Sequence, residues 1–598
     1  MNNDSLEMFN RLVDSALIHA GDGLVSEKDA VTDDFLYTET HLALLLFLLN
    51  RAGVRQNGLS EAANRLQVWN SLQVRTTFFN CLAITLLTLL MREENIADVE
   101  LENALAEARA RRIDFADEAW QRECGNNLYL QQLVNDLLLG PLADSRHLAE
   151  DARERLDKAF ASCMDTEGYF FDTPRPGATA QRQFPFTYNL KYLLLLAICC
   201  RYLPDASFKR RFRVGVEAIL PLFTKQGDFS YFGRTDRSTF ATGLAIFCLR
   251  AAASMDIGGQ FVRWLALHAE QLFNEFPVGE DGCLEVNRYP LPATVDDLIF
   301  SRDVYAYRWQ YAIVGCAYCM LGRHLFSFHQ TVNESGTADK ERSIFSSASL
   351  GIVRVQIGYI DLFIRTKCDL MATDRRHFGP TILRLEHGGN TVVGTIPVTV
   401  SSDSSIMVKW SGRSLVVRHF DLLRYRWRHG FEHRQWELVG FLPVLRRHHR
   451  AWIPMSAVKQ QIDGDSLVTI HSFQGVYISG WIPAWNHFKS LVVKHVPTLL
   501  KPMFRERSLL EGEVSIKLAR TIRWNKDSVS IVDQVVGEIE GKELVVGTRL
   551  LNSRKIQVVG LTPGGRQQGW SSDGPQEIQL YHTPCSGNEC RYEIIVSI

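Results

Sequence analysis

The segment GDFSYFGRTDRSTFATG, residues 227–243, sets aromatic, cationic and acidic side chains between two apolar helical stretches. Tyr231 precedes Arg234 by three residues, and a nearby guanidinium favours the phenolate, which suits a tyrosine to proton exchange. Arg234 and Arg237 offer the planar fork that grips a carboxylate. The same residues also suit a plain interhelical loop. Gly227 and Gly233 permit tight turns, and Thr235, Asp236 or Ser238 can cap the next helix. A second segment, FDTPRPGATAQRQFPFTYNLKYLLLL at 171–196, leads from a Pro- and Gly-containing loop into an apolar helix. Tyr188, Asn189 and Lys191 fall at its start, where the helix N-terminus adds positive potential for a carboxyl group. Asn189 serves equally well as a local hydrogen-bonding group there, and Tyr188 as a core aromatic.

Three further stretches carry chemistry-bearing types. In ATDRRHFGPTILRLEHGGNTV, 372–392, His377 follows Arg375 and Arg376 in an irregular basic stretch, while His387 adjoins a Gly-Gly hairpin turn. In DLLRYRWRHGFEHRQWELVGFLPVLRRHHRAW, 421–452, a strand over 422–428 puts Arg424, Arg426 and Arg428 on one face. That face is either solvated and paired with Glu432 and Glu437, or the wall of a cationic groove to which LRRHHR at 445–450 adds. In FSRDVYAYRWQYA, 300–312, Tyr305, Tyr307 and Trp309 with Arg302 and Arg308 form either a sugar-stacking surface or the packing face of a helix.

The elements that must hold these residues divide at about residue 331. Periodicity predicts helices near 4–20, 38–52, 60–70, 72–93, 97–112, 126–139, 145–163, 186–202, 207–224, 236–255, 259–275 and 302–327. Several, such as LKYLLLLAICCRYL and YAIVGCAYCML, are apolar nearly all round and must be enclosed by other helices. A dozen such helices on mostly short connections, without an evident repeat, predict a closed ring of antiparallel pairs. Beyond the polar stretch QTVNESGTADKERS, short β-branched runs such as LGIVRVQIGYIDLFIRT, DSLVTIHSF and SVSIVDQVV predict two large stacked antiparallel sheets. The expected fold is thus an N-terminal (α/α) toroid over 1–330, a linker over 331–345 and an antiparallel β-sandwich over 346–598.

The 598 residues carry a formal net charge of −1, which speaks against a global polyanion binder and so against a nucleic-acid partner. The N-terminus MNNDSLEMFNRLVDSALIHAGD lacks the basic and apolar regions of a secretory signal, so the expected location is cytoplasmic. Apolar runs such as LALLLFLLN are about half of the ~20 residues a membrane span needs. Of the twelve cysteines, Cys81, Cys199, Cys200 and Cys248 sit in apolar helical sequence as small hydrophobes. Cys316 and Cys319 have C-x-x-C spacing inside an apolar run with no second pair, and Cys585 with Cys590 can close a hairpin disulfide under oxidising conditions. No metal or cofactor is expected.

A helical toroid followed by an antiparallel sandwich resembles the heparinase II/III-like and alginate-lyase polysaccharide lyases. The local resemblance lies in the order Tyr188-Asn189, then Tyr231, then His377, with leucine after Asn189 where some members have histidine. The resemblance implies β-elimination at a uronic acid within an acidic polysaccharide or oligosaccharide. Asn189 would help neutralise the C6 carboxylate, His377 or Tyr231 would remove the C5 proton, and Tyr231 would protonate the leaving oxygen. The substrate-binding set would be Tyr188, Lys191, Arg234, Arg237, Tyr305, Tyr307, Arg375, Arg376, Arg424 and Arg426. Two other readings fit the same layout. One is a non-catalytic acidic-glycan-binding or surface-polysaccharide assembly protein. The other is a toroid glycoside hydrolase using carboxylates such as Asp228, Asp236 and Asp303.

Overall fold

The computed structural model describes residues 3–21, 23–25, 37–71, 77–111, 127–139, 146–171, 186–203, 205–224, 227–228, 238–286, 308–328, 342–367, 381–387, 390–393, 398–401, 448–479, 510–537, 545–551, 555–571, 574–584 and 589–597. The chain divides into two compact units, one carrying the helices and the other the strands.

Among the described residues the first unit has twelve α-helices that alternate between two roles. The even-numbered ones are α2 (Thr38–Arg51), α4 (Phe78–Glu93), α6 (Asn127–Leu139), α8 (Phe186–Tyr202), α10 (Thr239–Ser254) and α12 (Arg308–Leu325). Each packs on the next, and α12 packs back on α2, so these six close into an inner ring. The odd-numbered helices lie outside them: α1 (Asn3–Ala20), α3 (Gly58–Ser71), α5 (Val99–Ala110), α7 (Arg146–Cys163), α9 (Ala206–Ile219) and α11 (Gly259–Asn274). The sequence accounts for the division. Nearly every residue of α8 and α10 is buried, whereas α9 and α11 bury only one stripe each, so neighbours enclose the former on several sides.

Helix ends follow local chemistry. Of the three candidate caps before α10, Ser238 is the one used, its Oγ accepting the Ala241 N–H at 3.1 Å. The helix expected over 207–224 stops at Ile219, where Pro221 turns the chain into a 3-10 turn, Leu220–Leu222. Thr77 and Asn80 form a reciprocal cap at the start of α4. Connections leaving the inner helices are short (52–57, 94–98, 203–205, 255–258), while most of those entering them are long (21–37, 111–126, 164–185, 220–238, 275–307).

The second unit has two antiparallel sheets. The smaller runs in the order β1 (Arg342–Ser347), β2 (Ile352–Ile357), β3 (Ile360–Arg365), β4 (Thr381–His387) and β5 (Asn390–Val393). The larger contains β6 (Val398–Ser401), β7 (His448–Asp463), β8 (Ser466–Ser479), β9 (Leu510–Trp524) and β10 (Ser528–Val536). It also contains β11 (Val545–Leu551), β12 (Ile556–Val559), β13 (Thr562–Ser571), β14 (Gly574–Pro584) and β15 (Glu589–Ser597). Its strand order is β12-β15-β10-β9-β8-β7-β6-β11-β14-β13. Alternate residues of both sheets, including Val353, Leu362 and Ile382 from one and Leu518, Ile531 and Ile594 from the other, form one buried cluster. Two sheets sharing a core across their inner faces make a sandwich.

Within that apolar core lies a buried ion pair. Arg520 and Asp533 are directly opposite on β9 and β10, and two N–H donors of the guanidinium meet the two carboxylate oxygens at 2.7 Å each. The expected hairpin at LRLEHGGNTV is present, with His387 of β4 paired to Asn390 of β5. The strand expected over 422–428 lies outside the described residues. Among the described residues no helix is long and apolar enough to cross a membrane.

Candidate functional site

The six inner helices bring their N-terminal turns to one end of the ring. At the start of α2, the Tyr37 N–H and the Thr38 hydroxyl both donate to Gln310 Oε1 on α12, at 3.3 and 3.4 Å. The Tyr37 ring stacks on Phe79 of α4, centroids 4.3 Å apart and planes 13° from parallel. Gln131 of α6 donates its amide to the Phe78 carbonyl at 2.8 Å. Lys191 of α8 sets its ammonium 3.6 Å from the centroid of Phe79, and Phe240 of α10 lies edge-on to the same ring at 6.4 Å. Phe240 in turn meets Tyr311 of α12 at 5.4 Å. N-terminal residues of all six helices therefore interlock around Phe79, and the partial positive charges of those helix ends gather on one side of the unit.

The close approach of α10 and α12 depends on two glycines. A Cβ on Gly243 would stand 2.2 Å from the Gly315 carbonyl oxygen, and one on Gly315 would stand 2.4 Å from the Thr239 carbonyl oxygen. Any larger residue would force the helices, and the rings at their ends, apart.

Three of the residues proposed from sequence for β-elimination are described, and all three sit at this end. Lys191 is buried at 2% exposure, yet it keeps an aromatic face against its ammonium, which offsets part of the cost of removing a cation from water. Asn189 is fully buried. Its amide N–H donates to the Phe170 carbonyl at 3.3 Å, which fixes the side chain, while among the described residues its Oδ1 has no hydrogen-bond partner. Tyr188, one position earlier, is half-buried. Tyr231, Arg234, Arg237, Tyr305, Tyr307, Arg375, Arg376, His377, Arg424 and Arg426 lie outside the described residues.

Two neighbours of the proposed residues have packing roles. Trp309 is buried and stacks on His19 of α1, with centroids 5.1 Å apart, and Arg308 pairs with Asp281 and Glu285 at 2.9 and 3.0 Å. The start of α12 is therefore a packing face at these two positions.

His41, which sequence reasoning passed over, stands directly behind the stack. Its Nδ1 is 2.8 Å from the Tyr37 carbonyl and its Nε2 is 3.3 Å from the Tyr318 hydroxyl. A carbonyl only accepts, so Nδ1 carries the proton, and Nε2 accepts from Tyr318. Burial drives the His41 pKa down to about 4 despite the hydrogen bond to Tyr37, and the charge of Lys191 lowers it further. The imidazole is neutral at physiological pH, so it supports Tyr37 without placing a second cation beside Lys191. Burial likewise raises the Tyr318 phenol. Glu39, two residues earlier on the outer side of α2, is pushed up to about 6 by burial, which outweighs Arg65 at 3.3 Å and the Val25 N–H.

The C-x-x-C pair is fully buried, and burial raises both thiols, that of Cys319 to about 11. Such thiols pack as small hydrophobes. Cys590 is buried, and Cys585 lies outside the described residues. Among the described residues no group of three or more His, Cys, Asp or Glu side chains is placed to hold a metal ion.

The architecture matches known structures. Heparinase III aligns over 99% of this chain and 85% of its own, at 10% identity and a TM-score of 0.50. The unsaturated glucuronyl hydrolase of Streptococcus agalactiae aligns over 55% of this chain and 92% of its own, at 12% identity and a TM-score of 0.40. A polysaccharide lyase aligns over 54% of this chain and 98% of its own, at 12% identity and a TM-score of 0.37. No protein-family model matches the sequence, and no curated protein matches it. The fold is therefore that of heparinase III: an (α/α) toroid and an antiparallel β-sandwich in one chain.

Proposed function

We propose that the protein is a polysaccharide-lyase-like enzyme that cleaves a uronic-acid-containing glycan by β-elimination. The observation that carries this reading is Lys191, a cation held on an aromatic face where six helix N-termini gather, two residues along α8 from the fixed amide of Asn189. That combination favours a carboxylate. The long connections 164–185, 220–238 and 275–307 join the inner ring at the same end, and long connections on a rigid scaffold are where catalytic groups concentrate. Tyr231 lies on the second of these, seven residues before the Ser238 cap.

In the proposed reaction Lys191 and Asn189 hold the C6 carboxylate, and the charge that spreads onto it in the transition state is stabilised there. His377 or Tyr231 takes the C5 proton. The electrons of that C–H bond form the C4–C5 double bond as the C4–oxygen bond breaks, and Tyr231 supplies a proton to the departing oxygen. The product carries a double bond conjugated with its carboxylate.

The test is to incubate the purified protein with a panel of uronate-containing glycans and follow new ultraviolet absorbance. Absorbance should rise on at least one glycan, and Tyr231→Phe should abolish the rise while leaving the melting temperature unchanged. New reducing ends without absorbance would instead identify a hydrolase, and binding without cleavage an assembly or carbohydrate-binding protein.

A further inference from the structure

Phe79 has both of its faces occupied. Tyr37 stacks at 4.3 Å and the Lys191 nitrogen stands 3.6 Å from the same centroid. A ring and an ammonium at those distances cannot share one face without overlapping, so they lie on opposite faces. Phe79 is half-buried, and with its faces covered it presents an edge. It cannot stack on a sugar. It instead gives the Lys191 ammonium an aromatic face.

The supporting layers continue behind it. Tyr37 is held through its backbone by Gln310 and by His41, and His41 is held by Tyr318. Four inner helices thus contribute to a column that ends on the Lys191 nitrogen. Burial alone pushes a lysine towards its neutral amine, whereas the negative face of a benzene ring stabilises the ammonium. A leucine of similar bulk would fill the space and lack that face.

We propose that Phe79 is the positioning residue for anion recognition in this protein: wedged between Tyr37 and Lys191, it keeps the lysine charged and fixed, and so makes the toroid select carboxylate-bearing sugars over neutral ones. This rests on the reading of the inner ring as an acidic-glycan site.

The experiment compares binding of a glucuronate-containing tetrasaccharide with binding of its carboxyl-reduced counterpart, by calorimetry on the full chain. Wild type should prefer the acidic form. Phe79→Leu should shrink that preference by about thirtyfold, the size of a desolvated cation–π contact, and Phe79→Tyr should restore it. Lys191→Met should remove the preference, and adding Phe79→Leu to it should cost nothing more, because the two residues act through one contact. Thermal melting checks that each variant is folded. If the leucine variant does not fold, Phe79→Met, also ringless, carries the same comparison.

A folded ringless variant with the full preference for the acidic form would overturn the proposal. So would additive losses in the double variant. If wild type itself binds both glycans equally, the acidic-glycan reading fails, and this inference fails with it. A failure confined to the Phe79 variants leaves that reading standing.

Discussion

Gly243 on α10 and Gly315 on α12 meet backbone to backbone, close enough that a single methyl group on either would overlap a carbonyl group of the facing helix. The contact sets the spacing of Phe240 and Tyr311 a turn away. Neither helix backbone can yield as the tip of a flexible side chain can. Gly315→Ala should therefore destabilise the helical unit by about 1–3 kcal/mol or more, seen as a lower melting temperature. An unchanged melting temperature would mean that the helices have room to separate.

Lys191→Met keeps most of the bulk of the side chain and removes its charge. If the lysine stabilises charge developing on the substrate carboxylate, kcat/KM on a cleaved glycan should fall by roughly a hundredfold or more. Melting should change little, since an unbranched apolar chain can occupy the same space against Phe79. Retention of activity within a few-fold of wild type would remove Lys191 from the reaction.

His41 and Glu39 make opposite contributions to acid stability. The folded state holds His41 neutral down to about pH 4, while the unfolded chain binds that proton below its ordinary 6.5. Stability is thus lost as pH falls through this window, by about 3 kcal/mol in total. Glu39 titrates at about 6 when folded and 4.5 when unfolded, so its burial penalty is relieved as pH falls between those values, by about 2 kcal/mol. The helical unit should therefore lose stability between pH 6.5 and 4, less steeply than His41 alone dictates. His41→Gln should flatten or reverse the slope, and Glu39→Gln should steepen it. Unfolding curves at several pH values would show both, and a His41→Gln variant with the wild-type slope would refute the assignment.

Arg520 and Asp533 form a buried bidentate pair in the sandwich core. Removing one partner strands the other charge, so Arg520→Met should cost about 3–5 kcal/mol. Replacing both, as Arg520→Met with Asp533→Leu, should recover most of that loss, because neither charge is then left in the apolar core. Denaturant unfolding of the two variants tests the difference.

Much of the helical unit could be read along the chain because its signals are local. The all-round apolar character of α8 and α10 marked helices enclosed on several sides, and Ser238 was among the named caps. The end of α9 was missed by a few residues because Pro221 can begin a turn while apolar residues continue past it. In the second unit the short alternating strands were recognisable, whereas the long strands β7 and β9 were not singled out. Polar residues and irregular register along them blur the alternation.

The column around Phe79 had no comparable signal. Tyr37, Phe79, Phe240 and Tyr318 share no spacing, and each looks like core filling in its own stretch. His41 sits in THLALLLF, where a lone histidine reads as incidental. Only the closing of the ring brings these residues together. Lys191 and Asn189 were named as candidates because a cation and an amide at the mouth of an apolar helix already pose a problem that the local sequence does not solve.

Ring closure also orders events during synthesis. The Tyr37 N–H finds its acceptor on Gln310, a residue 273 positions later. At a few to some twenty residues per second, the first inner helix emerges tens of seconds before the side chain that completes its amino end. Until then its apolar flank near α12 has no cover, so a chain halted after α11 would leave the ribosome with an open seam and a strong tendency to aggregate.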